Sequence, residues 1–180
     1  IVLVVNDEEY EKRKILKRLM YFNSDVCDYE GGYVDGKIVN LDYLKLVAER
    51  GTEPARDYFR GAFIAYSKIA ELEDILKMIP VYQIAEKEEK IEKFLAQLDT
   101  AYWFMQEAEK RGNQYLKVHS ARDLALYGGR LILAHNEVLY PYHKLLMVEL
   151  EKVSKTPENF MTLLDNLLKN PGLITAEDYY

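Results

Sequence analysis

The sequence predicts an α+β chain: a small sheet, incomplete at its N-terminal side, followed by a C-terminal helical bundle. Three observations predict it. The chain opens on "IVLVV", an all-apolar run rich in β-branched residues, the composition of a buried strand. The segment "DVCDYEGGYVDGKIVNLDYL" alternates in polarity around an Asp-Gly dipeptide, a short-range hairpin signal. From Pro54 onward apolar residues recur at helical spacing. The expected division is an α/β portion over residues 1–53 and a helical bundle over residues 54–180.

Each element has its own local reason. No initiator methionine precedes the opening run, so it is expected to continue an element that begins earlier. Asn6 then supplies an N-cap, and Asp7, Glu8 and Glu9 supply first-turn acids. The helix they start is expected to run to about Met20, with Ile15, Leu16 and Leu19 on one face. Asp35-Gly36 is expected to turn the hairpin. Beyond it, Ala55, Tyr58, Phe59, Ala62, Phe63 and Tyr66 follow helical spacing, as do Ile91, Phe94, Leu95, Leu98, Tyr102 and Met105. Pro80 and the charged run 86–93 mark the break between them. Residues 115–139 are apolar on nearly all sides, as in the central helix of a bundle. Gly128-Gly129 inside that stretch would weaken a helix, so close approach of another backbone is expected there. Pro141 fits the first position of a new helix, and Thr156-Pro157-Glu158 opens a last one that Pro171-Gly172 closes.

Composition narrows the function. With 180 residues, 49% of them hydrophobic, the chain can bury a core. Its net charge of −6, from 24 basic and 30 acidic residues spread along the chain, argues against a general binder of long nucleic acid or of anionic membranes. No apolar run reaches the length of a membrane span. One cysteine excludes an internal disulfide framework and fits a reducing, cytoplasmic setting. Three histidines and that cysteine form no zinc pattern, and no serine has a nucleophile-elbow context. Apolar helical faces serve cores and dimer interfaces alike, which leaves a homodimer open.

Three constellations carry chemistry. If Pro141 starts a helix, His143 and Lys144 fall in its first turn. A lysine there meets the positive end of the helix dipole, which is mildly unfavourable unless an anion binds to the ammonium and the free amides. A solvated lysine is the other reading. In the hairpin, Asp28 and Glu30 stand two apart, so on a strand their carboxylates leave one face, and Asp42 on a partner strand could join them. Such oxygens suit Mg²⁺, though an exposed acidic face reads the same way. The third is Arg130 followed by His135. This Arg-x4-His spacing resembles the signature of HEPN-type helical ribonucleases, which would have the arginine hold a phosphate and the histidine assist proton transfer.

Several segments together resemble a further family. "AHNEVLYPYHKLLM" is similar to the C-terminal helical motif of bacterial and archaeal nucleotidyltransferases of the polymerase-β superfamily, in which an asparagine, a tyrosine-proline and a lysine follow a long apolar helix. "VCDYEGGYVDGKIVNLDYLKLVAERGTEPAR" is similar to their sheet edge, hairpin and following loop. The resemblance extends over most of the chain and includes the architecture of the aminoglycoside nucleotidyltransferases. It implies transfer of a nucleoside monophosphate from an NTP, with ATP the expected one, to a small-molecule acceptor, using Mg²⁺ held by strand carboxylates. The family's Gly-Ser turn and Asp-x-Asp pair would fall immediately before Ile1. The third carboxylate is then expected at Asp28, with Asp42 and Glu30 as substitutes. Lys144 would contact the triphosphate, Asn136 and Tyr140 would line the nucleotide side, and His143 would assist or pack. Arg56 and Arg60 are weaker candidates for the acceptor side. A HEPN-like ribonuclease or toxin-type domain and a non-catalytic nucleotide-binding module are the alternatives.

Overall fold

The computed structural model describes all of residues 1–180 and is α+β. The chain packs as two compact units, Ile1–Val81 and Tyr82–Tyr180, so residues 54–81 belong with the sheet and not, as expected, with the helical region. No helix is long and apolar enough to cross a membrane.

The first unit is built on three strands: β1 (Val2–Val4), β2 (Met20–Asn23) and β3 (Val34–Val39). β3 is central, parallel to β1 and antiparallel to β2. Helix α1 (Asp7–Ile15) links β1 to β2, with the Asn6 side chain accepting from Glu9 N at its start. It ends earlier than periodicity suggests. Lys17 adopts a left-handed conformation (φ 55°), while Lys17 N and Arg18 N return to Lys14 O and Arg13 O. That is a Schellman closure with lysine in the usual glycine place. Ile15 and Leu16 are left exposed and do not form the expected apolar face.

The hairpin is present, but its turn is not Asp35-Gly36. Both residues lie inside β3, opposite Phe22 and Tyr21. The reversal occupies residues 24–33, opened by Asn23 Oδ1 accepting from Asp25 N at 2.7 Å and bent at Gly31 (φ 72°). Gly36 serves another purpose: a Cβ there would collide with the Ile1 carbonyl, so its missing side chain lets β1 approach the central strand.

One face of this sheet carries Val2, Val4 and Val39 into a core completed by helices α2 (Leu41–Arg50), α3 (Glu53–Asp57) and α4 (Leu72–Met78). Leu44, Val47, Phe59, Leu72, Ile75 and Ile79 fill it. The long helix that the spacing of residues 55–66 predicts does not form. α3 stops at Asp57, and Phe63 and Tyr66 are exposed. Arg56 is 3% exposed and donates to Ala48 O (2.8 Å), Gly51 O (3.0 Å) and Ile79 O (3.1 Å). These carbonyls end α2 and α4. The guanidinium therefore closes two helix C-termini, where the helix dipoles favour a cation. It is a structural residue and not an acceptor-side contact; Arg60 pairs with Asp57 at 2.7 Å.

The second unit is helical: α5 (Lys87–Lys110), α6 (Gln114–His135), α7 (Leu146–Leu150), α8 (Phe160–Lys169) and α9 (Leu173–Tyr179). Gly112 (φ 59°) reverses the chain between α5 and α6, and Asn113 caps α6 by accepting from Leu116 N. Leu98, Ala101 and Met105 of α5 meet Ala121 and Leu124 of α6, with Leu167 and Ala176 completing the layer. Pro171-Gly172 closes α8 as expected, but α9 follows it. The Gly128-Gly129 pair admits side chains, not a backbone. A Cβ at Gly128 would collide with the Tyr179 hydroxyl, and one at Gly129 would lie 3.1 Å from Leu150 Cδ1.

Candidate functional site

Residues 136–142 lead from α6 toward α7, and this stretch and the turn after it carry the sequence-predicted residues of this unit. α6 ends at His135, not near Tyr140. Glu137 takes a left-handed conformation (φ 58°), and Glu137 N and Val138 N return to Ala134 O and Leu133 O. This second Schellman closure stops the helix before Pro141 can act. Nor does Pro141 begin a helix: a 3-10 turn over His143–Leu145 precedes the short α7. Lys144 is exposed on that turn and makes no ion pair. The expected long first turn with free amides is absent, so the ammonium alone is available to an anion.

Asn136 has a structural task. Its Nδ2 donates to Ile132 O and Lys155 O, both at 2.8 Å, and its Oδ1 accepts from Lys155 N at 3.1 Å. The side chain staples the end of α6 to the segment before α8, and a nucleotide contact would have to break that staple.

Tyr140 and His143 do come together. The Tyr140 hydroxyl and His143 Nδ1 share a hydrogen bond of 3.1 Å, with the rings edge to face. Burial raises the Tyr140 phenol above its ordinary range, against the opposing pull of the Arg130 guanidinium. Tyr142 packs to one side of Tyr140 and His143, its ring 4.6 Å from that of His143 and 6.2 Å from that of Tyr140. Its backbone (φ 75°, ψ 173°) occupies a region that is essentially reserved for glycine.

Arg130, one turn back on α6, completes the cluster. Its guanidinium carbon stands 4.1 Å from the Phe94 ring centroid and 4.8 Å from that of Tyr140. It has no ion pair, and its buried Nε has no hydrogen-bond partner. Two aromatic faces hold the cation by their quadrupoles, but a ring face accepts no conventional hydrogen bond from the buried Nε–H. The Arg-x4-His spacing thus picked out Arg130 for a different arrangement. His135 is exposed at the end of α6, and no hydrogen bond or ring contact joins it to Arg130. Arg130, Tyr140, Tyr142 and His143 make a cationic and aromatic cluster, with Lys144 next in the chain, of a chemistry suited to an anion that carries a planar ring.

The carboxylates of the first unit are arranged otherwise than expected. Asp28 and Glu30 lie in the loop between β2 and β3, not on a strand. Asp42 lies in the first turn of α2, where its charge favours the helix start. The three do not combine, and no group of three histidine, cysteine or acidic side chains is positioned to hold a metal ion. Asp28, Glu30 and Asp42 are therefore not brought together as one set of three ligands. The one acid on the central strand is Asp35, exposed at its N-terminal end. Its reading as a turn residue concealed it; the alternation Asp35, Lys37, Val39 on one face would have revealed a strand.

No family model matches this chain, and neither a curated protein nor a solved structure matches it.

Proposed function

We propose that this chain is a nucleotidyltransferase that moves a nucleoside monophosphate from an NTP, ATP being the expected donor, to an acceptor hydroxyl. The observation that carries the reading is Arg130, a cation held on Phe94 and Tyr140 with no ion pair and with its buried Nε–H unpartnered. Tyr140, one of its two partners, is among the residues for which the sequence resembles polymerase-β superfamily transferases. In the reaction the acceptor oxygen attacks the α-phosphorus, its proton leaves, and pyrophosphate departs with the bonding electrons. Arg130 suits a bidentate grip on phosphate oxygens and Lys144 a point charge beside them. Tyr142 offers a face on which a base can stack. The Tyr140–His143 hydrogen bond sets the posture of these rings.

The sheet supports the same reading at a different residue from those first named. The family resemblance expects Asp-x-Asp immediately ahead of Ile1. Ile1 O accepts from Lys37 N (3.0 Å), and Ile1 N donates to Asp35 O (2.7 Å). This parallel register sets Ile1 against Gly36 and leaves Asp35 at the end of the central strand beside the start of β1. Side chains at paired positions share a face. In this reading Asp35, the one acid on the central strand, is taken in place of Asp28, Glu30 and Asp42 as the strand carboxylate.

The test is pyrophosphate release by the full-length protein from ATP and Mg²⁺ across a panel of hydroxyl acceptors. Release is expected with at least one acceptor, and Arg130→Met is expected to weaken ATP binding roughly tenfold, one charge-assisted contact. ATP binding without release for any acceptor would reduce the chain to a binding module. No ATP binding would end the reading.

Tyr142→Gly separates strain from contact. Glycine relieves about 1–3 kcal/mol of backbone strain and costs about 0.5–1 kcal/mol of chain entropy. Thermal unfolding is expected at a higher temperature, while ATP affinity, measured by calorimetry, falls about tenfold for want of the stacking ring. A variant that is less stable, or that binds ATP unchanged, would contradict this role.

A further inference from the structure

Strand β2 is an edge. In the order β1-β3-β2 it pairs only with β3, and no strand of the sheet pairs with its outer side. Ile38 N donates to Leu19 O at 2.8 Å, and the register sets Tyr21 opposite Gly36. Leu19, Tyr21 and Asn23 therefore turn their backbone groups toward β3, and Met20 and Phe22 turn theirs outward.

The side chains repeat this openness. Met20 and Phe22 pair with Lys37 and Asp35, which puts them on the face that carries Val2, Val4 and Val39 into the core. The helices that cover that core do not cover β2, so Met20 and Phe22 are each 67% exposed. Tyr33, also exposed, stacks on Phe22 with ring centroids 5.5 Å apart. A sheet edge with unpaired backbone groups and uncovered apolar side chains templates another strand unless charge or proline blocks it. β2 carries neither charge nor proline.

The flanking charges identify the occupant. Lys17 and Arg18 stand just before β2 and Asp25 just after it, and none of them has an ion-pair partner in the chain. We propose that β2 pairs antiparallel with β2 of a second copy of this chain, about a twofold axis through Tyr21. In that register Met20 of one copy faces Phe22 of the other, and these residues, whose backbone groups point outward, exchange hydrogen bonds. The apolar pair lies on one face of a continuous sheet. The basic start of each β2 meets Asp25 of the other copy. Such self-complementarity is what a closed twofold interface requires. The inference does not depend on the nucleotide reading.

Sedimentation velocity of the full chain over a concentration series tests it. The expected result is a concentration-dependent monomer–dimer equilibrium. Phe22→Lys is expected to remain monomeric with an unchanged circular dichroism melt, because the residue is already exposed. Lys17→Asp is expected to weaken the dimer about fivefold, as a rim charge does, and aspartate tolerates the left-handed backbone there. Adding Asp25→Lys to it is expected to restore association, since each reversed charge again meets its opposite. A wild-type chain that stays monomeric throughout, or a Phe22→Lys chain that dimerises like wild type, would overturn the proposal. Failure of the charge swap to restore association would overturn the register.

Discussion

Arg56→Met is expected to unfold the sheet unit under conditions in which the helical unit still stands. Methionine keeps much of the apolar stem but supplies no donor to the carbonyls of Ala48, Gly51 and Ile79. Those oxygens lie at the ends of α2 and α4, where the helices leave carbonyls without internal partners. Stranding them, and removing the cation that the two dipoles favour, is expected to cost about 4 kcal/mol. That is a large share of the stability of an ordinary domain, about 5–15 kcal/mol. Arg56→Lys, which keeps the charge but not the fork of donors, is expected to recover part of the loss.

The two units make this measurable. The single tryptophan, Trp103, lies on α5 in the second unit. In a urea titration its fluorescence follows the helical unit, while far-ultraviolet circular dichroism follows both. In Arg56→Met the dichroism is expected to develop an early step that the fluorescence lacks. A midpoint within about 0.5 kcal/mol of wild type by both probes, the range of an ordinary surface substitution, would show that the buried guanidinium is not what joins α2 to α4.

Asp35→Asn is the larger test of activity. If this carboxylate belongs to the transfer site, the amide keeps its shape and removes its charge. Loss of even an outer partner of a metal site costs about 10–100-fold, so a direct participant is expected to cost at least about 100-fold in pyrophosphate release, with the fold unchanged. Asp28→Asn, Glu30→Gln and Asp42→Asn are expected to stay within about twofold, because the first two lie in a loop and the third serves a helix start. The reverse ranking would return the assignment to the loop acids. An active Asp35→Asn chain would remove β3 from the chemistry.

Much of the outline was legible along the chain. β1 followed from five apolar residues, the start of α1 from Asn6 and its acids, and α5 and α6 from sustained helical period. Among the candidate residues, Tyr140 and His143, named by resemblance, share a hydrogen bond, and Arg130, named by its spacing, lies over the Tyr140 ring. Other assignments failed for one kind of reason. Asp35-Gly36 has the sequence of a turn, yet β1 needs the glycine inside a strand. Pro141 has the look of a helix start, yet Glu137 had already turned the chain by adopting a conformation its side chain does not advertise. Asn136 looks like a ligand contact, yet Lys155, far along the chain, uses its polar atoms.

The sequence by itself determined the class of the fold, the order of most of its elements and the mildly acidic balance of charge, because composition and period act over a few neighbouring residues. Tertiary structure decided which residue did what. Arg56 went to two helix ends, Arg130 to a pair of aromatic faces, and Gly36 beneath a neighbouring carbonyl. Each of those roles depends on atoms brought from segments far apart in sequence, and burial assigns a polar group to whichever acceptor or ring lies within reach.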